Sequence, residues 1–294
     1  MNFVFSVAVL TVATAVACAL PGTLLVVRRQ SMLAEAMSHT VLPGIVVAMI
    51  AVGSINSPLL LVGAAAAGML VVLGAEYLEG TGLLAGDSPQ GVIYPALFSI
   101  GVILISTRFA GVQISERTVL TGDVNLAAFL HLHVAGVDVG PAHLWVMIAL
   151  IVANALFLAL CWKELTLATF DPALAQAFGF RPRLLHYLLM LDVSITVTAA
   201  FATAGSLLVV ALMIVPPAVA RLLSDRLPMM VAWSVALAVV GSLVGFGVAY
   251  RFDLATSSGL AAFYGVCFVA VWAASCVAGR RRTTRSRAAL KSSF

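Results

Sequence analysis

An all-α membrane protein, a polytopic bundle of eight or nine transmembrane helices, is the fold this sequence predicts, and three observations carry the prediction. Hydrophobic residues fill 62% of the 294 positions and charged residues only 10%, against roughly 25% charged in a soluble domain. Mean hydropathy is +1.11. Several windows exceed the roughly 18 apolar residues that mark a transmembrane helix, and the run from Phe3 to Val27 carries no charge. A membrane β-barrel reads instead as short segments of alternating hydrophobicity, and lipid tolerates only helices or closed barrels. Long uninterrupted apolar runs therefore mean helices.

Hydropathy places spans near 3–27, 31–53, 58–77, 90–107, 143–162, 184–203, 206–223, 229–250 and 256–277. The count falls to eight if one short segment is re-entrant. The first cation is Arg28, so the N-terminus lacks the basic region of a signal peptide and 3–27 reads as a retained span. With nine spans and the N-terminus outside, the inside segments hold Arg28, Arg29, Lys163, Arg181, Arg183, Arg221, Arg226 and six tail cations, and the outside segments hold Arg108, Arg117 and Arg251. This bias places the C-terminus in the cytoplasm. The tail cations are Arg280, Arg281, Arg282, Arg285, Arg287 and Lys291, six of the chain's 16 basic residues. Residues 1–279 thus read as the transmembrane domain. Residues 280–294 read as a basic cytoplasmic tail beside membrane lipid, with no nucleic acid as partner. Cys18, Cys161, Cys267 and Cys276 form no C-x-x-C pattern and read as small packing residues.

Two connections are long enough to have a role. The outer stretch 108–142 contains Leu120-Thr-Gly-Asp123-Val-Asn125, with Asp123 as a turn residue. The inner stretch 163–183 contains Phe170-Asp171-Pro-Ala-Leu-Ala175-Gln-Ala-Phe-Gly179. Asp171 there is an N-cap, Pro172 the first helical residue and Gly179 a stop, so the spacing predicts a helix of under two turns between two spans. Such a helix fits either a cleft of a soluble partner or a plain interfacial turn. Two spans carry breakers: Leu42-Pro43-Gly44 is expected to interrupt the second, and Val215-Pro216-Pro217-Ala218 the seventh. Proline removes a donor and frees a carbonyl, which lipid does not satisfy.

Glu35 and His39 stand four residues apart in Ser31-Met-Leu-Ala-Glu35-Ala-Met-Ser38-His39-Thr40. Ionisable residues within a span are costly, and the default reading is functional. At i and i+4 they project from one helix face, where a carboxylate and an imidazole both reach one divalent cation: Mn²⁺, Fe²⁺ or Zn²⁺. Two ligands are too few for a structural zinc site, which takes four, and few ligands suit an ion that must leave again. The competing reading is that both residues cap a shortened span, with Arg28 and Arg29 neutralising Glu35. Asp192, in Leu188-Leu-Met-Leu-Asp192-Val-Ser194, is a further candidate ligand or a helix-packing residue. His131, His133 and His143 lie in or near the outer loop and read as surface histidines, and Glu76, Glu79 and Asp87 read as solvated at an inner loop. There is no G-x-x-x-x-G-K-[S/T] phosphate loop, no H-E-x-x-H and no G-x-S-x-G, so neither an ATPase nor a hydrolase is encoded.

At these residues the chain resembles a known family. Arg28-Arg29-Gln-Ser-Met-Leu-Ala-Glu35-Ala-Met-Ser38-His39-Thr-Val-Leu-Pro43-Gly44 is similar to the signature of the ABC importer permeases for zinc, manganese and iron, roughly R-R-x-S-L-x-G-D-A-x-S-H-x-x-L-P-G. Residues 170–179 resemble the family's F-D-x-x-x-A-x-x-x-G element, and Gly205-Ser-Leu-Leu-Val-Val-Ala-Leu-Met-Ile-Val-Pro216-Pro217-Ala218-Val-Ala220 resembles G-x-L-L-V-x-A-L-L-I-x-P-A-A-x-A. The resemblance implies the helical architecture of type II ABC importers in the plasma membrane of a bacterium. It implies a permease homodimer, a separate cytoplasmic ATP-binding subunit and an extracytoplasmic solute-binding lipoprotein. It implies no permanently bound cofactor; the divalent metal is cargo. It puts metal-path ligands at Glu35 and His39, ATPase coupling at Phe170, Asp171, Ala175 and Gly179, and gating at Pro43, Gly44, Pro216 and Pro217. Glu35 stands where the family has Asp, and Ala34 where it has Gly. The extra methylene changes ligand reach by about 1.5 Å at most, which bears on metal preference. An ATPase-independent transporter relaying through Glu35 and Asp192, and a non-transporting membrane protein whose polar pairs glue helices, are the competing functions.

Overall fold

A computed structural model of the chain describes residues 3–53, 57, 59–84, 86–108, 124–129, 131–134 and 137–291. Helices α1 (Phe3–Val27), α2 (Ser31–Val52), α3 (Leu59–Gly80) and α4 (Ser88–Arg108) come first. A short helix α5 (Val124–Phe129) and an antiparallel hairpin of β1 (His131–Val134) and β2 (Val137–Pro141) follow. Then come α6 (Ala142–Leu160), α7 (Trp162–Phe170), α8 (Pro172–Ala177), α9 (Pro182–Leu223), α10 (Leu227–Arg251) and α11 (Thr256–Lys291). The protein is a multi-pass helical membrane protein: eight helices among the described residues are long and apolar enough to cross a bilayer. These eight hold all nine apolar segments, because α9 contains two.

A straight helix of 42 residues is about 63 Å long, twice the hydrocarbon thickness of a bilayer. Two contacts on α1 show that α9 is not straight. Asn154 of α6 donates to the Ala17 carbonyl at 3.0 Å and to the Thr196 hydroxyl at 3.1 Å, which sets Thr196 level with Ala17. Further along α1, Gly22 lies so close to Met213 that a Cβ would overlap the Met213 carbonyl oxygen. Ala17 and Gly22 are about 7.5 Å apart along a helix, whereas Thr196 and Met213 would be about 25 Å apart if α9 were straight. The chain therefore folds back at Gly205, whose φ of 77° and ψ of 165° are non-helical and essentially restricted to glycine. The two arms are α9a (182–204) and α9b (206–223).

The expected interruptions at the prolines are corrected by the structure. Helix α2 runs unbroken through Pro43 and Gly44, and α9b runs unbroken through Pro216 and Pro217. Each proline removes one backbone bond, and close packing covers the region it leaves. The Met213 carbonyl, four residues before Pro217, is the one that Gly22 approaches. Gly44 packs on Gly63, Ala64 and Ala67 of α3, and Gly101 of α4 packs on Pro43. Small residues here let helices approach to backbone contact, the usual way membrane helices associate.

Helices α1 and α9 form the centre of the bundle, with 61% and 72% of their most apolar windows buried, against 6% for α4 and 11% for α11. Helix α1 suits the centre because it is apolar all round and its three threonine hydroxyls are satisfied within the helix: Thr11, Thr14 and Thr23 donate to the carbonyls of Val7, Leu10 and Ala19. Asn154 is the buried polar tie of α6 to this centre. Asn154→Leu is expected to cost about 1 kcal/mol, the scale of interhelical hydrogen bonds in membranes, seen as a lower melting temperature in detergent with the oligomer peak unchanged.

One end of the bundle gathers Phe3, whose ring stacks on Phe129 at 4.4 Å, and Asn125, which donates to Thr256 at 3.0 Å. The opposite end gathers Arg28, Glu76, Thr169 and His186. Asp123 and the rest of 109–123 lie outside the described residues. The basic segment continues α11 as helix as far as Lys291.

Candidate functional site

Helix α2 starts from a tight turn. Arg29 and Gln30 donate to the carbonyls of Val26 and Leu25, and Arg29 takes a left-handed φ of 58°. This is the helix-terminating motif usually built on glycine. Glu35 and His39 follow on one face of α2, both half-buried, while Ala34, Ala36, Met37, Ser38 and Thr40 between and beside them are buried. The two buried hydroxyls are accounted for locally: Ser38 donates to the Glu35 carbonyl and Thr40 to that of Met37. That leaves the Glu35 carboxylate and the His39 imidazole as the polar chemistry of this face.

Helix α4 walls that face. Tyr94 stacks on His39 with ring centroids 5.5 Å apart, and Phe98 meets it edge-on at 6.2 Å. Gly101, one turn further, reaches Pro43. Gln90 lies one turn before Tyr94 on the same face of α4; it is 8% exposed, and its Oε1 has no partner among the described residues. The aromatic wall went unrecognised in the sequence, although Gln90, Tyr94 and Phe98 at i, i+4 and i+8 are a readable helical stripe.

Asp192 is not brought to this pair. Ser194, on the α3-facing side of α9a, donates to the Ala65 carbonyl and abuts Gly68. Asp192 is two residues away, on roughly the opposite face and in phase with Thr196, which faces α6. Its Oδ2 is buried without a partner among the described residues. Among those residues no three His, Cys, Asp or Glu side chains converge to hold a metal ion. Within one chain, Glu35 and His39 stand as a pair. His143 is half-buried in the first turn of α6.

A second polar cluster lies at the Arg28 end. Tyr187 donates to Glu76 Oε2 at 2.6 Å, and His186 Nε2 lies 2.9 Å from Glu76 Oε1. Glu76 is thus half-buried and bonded rather than freely solvated, because the start of α9a packs on the last turns of α3. Arg28 Nε donates to Thr169 Oγ1 at 3.0 Å. These groups, with Glu79 and Arg183, line a cavity of about 870 Å³. No local motif announced the cluster; its members come from four segments.

Helix α8 is built by its caps. The Asp171 carboxylate accepts from Leu174 N at 2.9 Å, and Pro172 opens the helix. Gly179, at φ 84°, closes it: Gly179 N donates to Gln176 O and Phe180 N to Ala175 O. Ala175 is fully buried beneath it, while Phe170 and Phe178 are 61% and 69% exposed. They line an apolar groove of about 480 Å³ with Trp162, Leu167 and Phe180.

Known proteins resemble this chain in sequence and in fold. The family model described as "ABC 3 transport family" matches residues 1–275. The manganese transport system membrane protein MntD of Bacillus subtilis is 38% identical over 257 residues, covering 87% of each chain. The zinc transport system membrane protein TroD of Treponema pallidum is 39% identical over 266 residues, covering 90% of this chain and 72% of that one. Among solved structures, PsaBC from Streptococcus pneumoniae in complex with Fab superposes with a TM-score of 0.76 at 24% identity, over 92% of this chain and 91% of that one. At that identity the likeness is one of fold.

Proposed function

Because the chain belongs to the ABC 3 transport family, we propose that it is the membrane subunit of an ATP-driven importer of a divalent transition metal ion, with Glu35 and His39 as transient ligands on the path. The observation that carries this reading is the acid–imidazole pair one turn apart on α2, half-buried beneath the Tyr94 and Phe98 wall. Oxygen and nitrogen ligands suit Mn²⁺, Zn²⁺ and Fe²⁺ alike. Two ligands hold an ion weakly enough to release it. The manganese and zinc relatives support metal cargo without choosing between those ions.

The charge bias of the loops assigns the Arg28 end to the cytoplasm, together with α8 and the basic C-terminus. Helix α8, rigidly capped and flanked by exposed Phe170 and Phe178, is then the element on which the cytoplasmic ATP-binding subunit docks. A solute-binding lipoprotein delivers metal at the opposite end. Alternating access requires the two ends to open in turn, and the packed Gly44, Pro43 and Pro217 contacts are where small helix displacements are absorbed.

Co-purified permease and ATPase, reconstituted in proteoliposomes, are expected to accumulate Mn²⁺ or Zn²⁺ only with ATP, and deletion of 173–178 is expected to release the ATPase during purification. Uptake under an imposed proton gradient, without ATP or the ATPase, would instead establish the secondary-transporter reading.

A further inference from the structure

We propose that Arg28 is a positioning residue that links α8 to the metal pair through its hydrogen bond to Thr169. The proposal rests on the transport reading above. The bond joins segments 141 residues apart in sequence. The Thr169 hydroxyl directs its single proton to the Leu165 carbonyl at 2.6 Å, so its lone pairs remain for the guanidinium. Thr169 is the penultimate residue of α7 and stands two residues before Asp171, the cap of α8. Arg28 stands in the turn that launches α2, seven residues before Glu35.

Both ends of this link are stiff. Helix α7 is continuous to Phe170, and the α1–α2 turn is fixed by three backbone bonds from Arg28, Arg29 and Gln30. Asp171 alone separates α7 from α8, and Arg28 is followed only by Arg29 and Gln30 before α2 begins. A shift of α8 against the bundle therefore pulls on the base of the helix that carries both ligands. The guanidinium Nη2 is buried with no partner among the described residues, as is Gln30 Oε1. The Glu76, His186 and Tyr187 cluster across the cavity ties α3 to α9a.

The test uses the reconstituted permease–ATPase complex, with Mn²⁺ taken up and ATP hydrolysed measured in parallel. Thr169→Val is isosteric and keeps the fold while deleting the acceptor; Thr169→Ser keeps the acceptor. Thr169→Val and Arg28→Gln are expected to hold ATP hydrolysis within about two-fold and to lower metal carried per ATP by about ten-fold or more. Thr169→Ser is expected to stay near the unsubstituted complex, and the double variant Arg28→Gln/Thr169→Val to be no worse than the poorer single one, as two ends of one bond require. Equal behaviour of Thr169→Val and Thr169→Ser, or losses that multiply in the double variant, would overturn the link. An unsubstituted complex that hydrolyses ATP but carries no metal would overturn the transport reading beneath it.

Discussion

Glu35→Ala and His39→Ala are each expected to cut metal uptake by about 100-fold or more while the ATPase subunit still co-purifies. Partners one shell out from a metal already account for about 10–100-fold, and these residues are assigned as the ligands themselves. Folding failure does not predict the same result. Removing the half-buried Glu35 carboxylate from an apolar helix relieves a desolvation cost, so Glu35→Ala is not expected to lower the melting temperature, whereas His39→Ala gives up the ring contacts with Tyr94 and Phe98 and is expected to lower it slightly. Glu35→Asp restores the shorter carboxylate of the resembling family, and it is expected to retain uptake with a changed ratio of Mn²⁺ to Zn²⁺. Radiometal uptake in proteoliposomes reads all three. Full uptake by both alanine variants would remove the pair from the path.

Gly205→Ala is expected to destabilise the bundle through its backbone. The turn between α9a and α9b needs a φ of 77° with ψ 165°, a conformation that costs a residue with a Cβ about 1–3 kcal/mol. Relaxing that strain would swing one arm off α1. At roughly 2–4 °C per kcal/mol for a chain of this size, the melting temperature in detergent falls by roughly 2–12 °C. Pro216→Ala and Pro217→Ala are the contrast. Each restores a backbone donor inside a helix that is already continuous, and a shift of less than about 1 kcal/mol is expected. A stable Gly205→Ala variant beside a collapsed Pro217→Ala variant would mean that the chain does not reverse where these contacts put it.

The reversal was only half visible in the sequence. Hydropathy separated 184–203 from 206–223, with Ala204 and Gly205 between them in a stretch of mostly small residues. It had no means of ranking Gly205 above Pro43 and Pro216 as the break. Proline's cost is one lost hydrogen bond and is local, whereas the reversal depends on α1 offering both Ala17 and Gly22 as docking points. Helix α8 was legible residue by residue, since Asp171, Pro172 and Gly179 act on their own backbone neighbours. Glu35 and His39 were legible as a pair because i and i+4 on a helix need no tertiary information.

Composition and short-range chemistry thus determined the solvent of this protein, the number of apolar segments, the caps of α8 and the identity of the α2 pair. What only the folded molecule decided is which faces meet: Tyr94 and Phe98 over His39, Asp192 turned away from it, Glu76 held by His186 and Tyr187, and Arg28 bonded to Thr169. The reason is that helices apolar on every side carry no stripe to mark their inner face, so their depth and rotation are fixed by close packing at glycine and alanine contacts between distant segments.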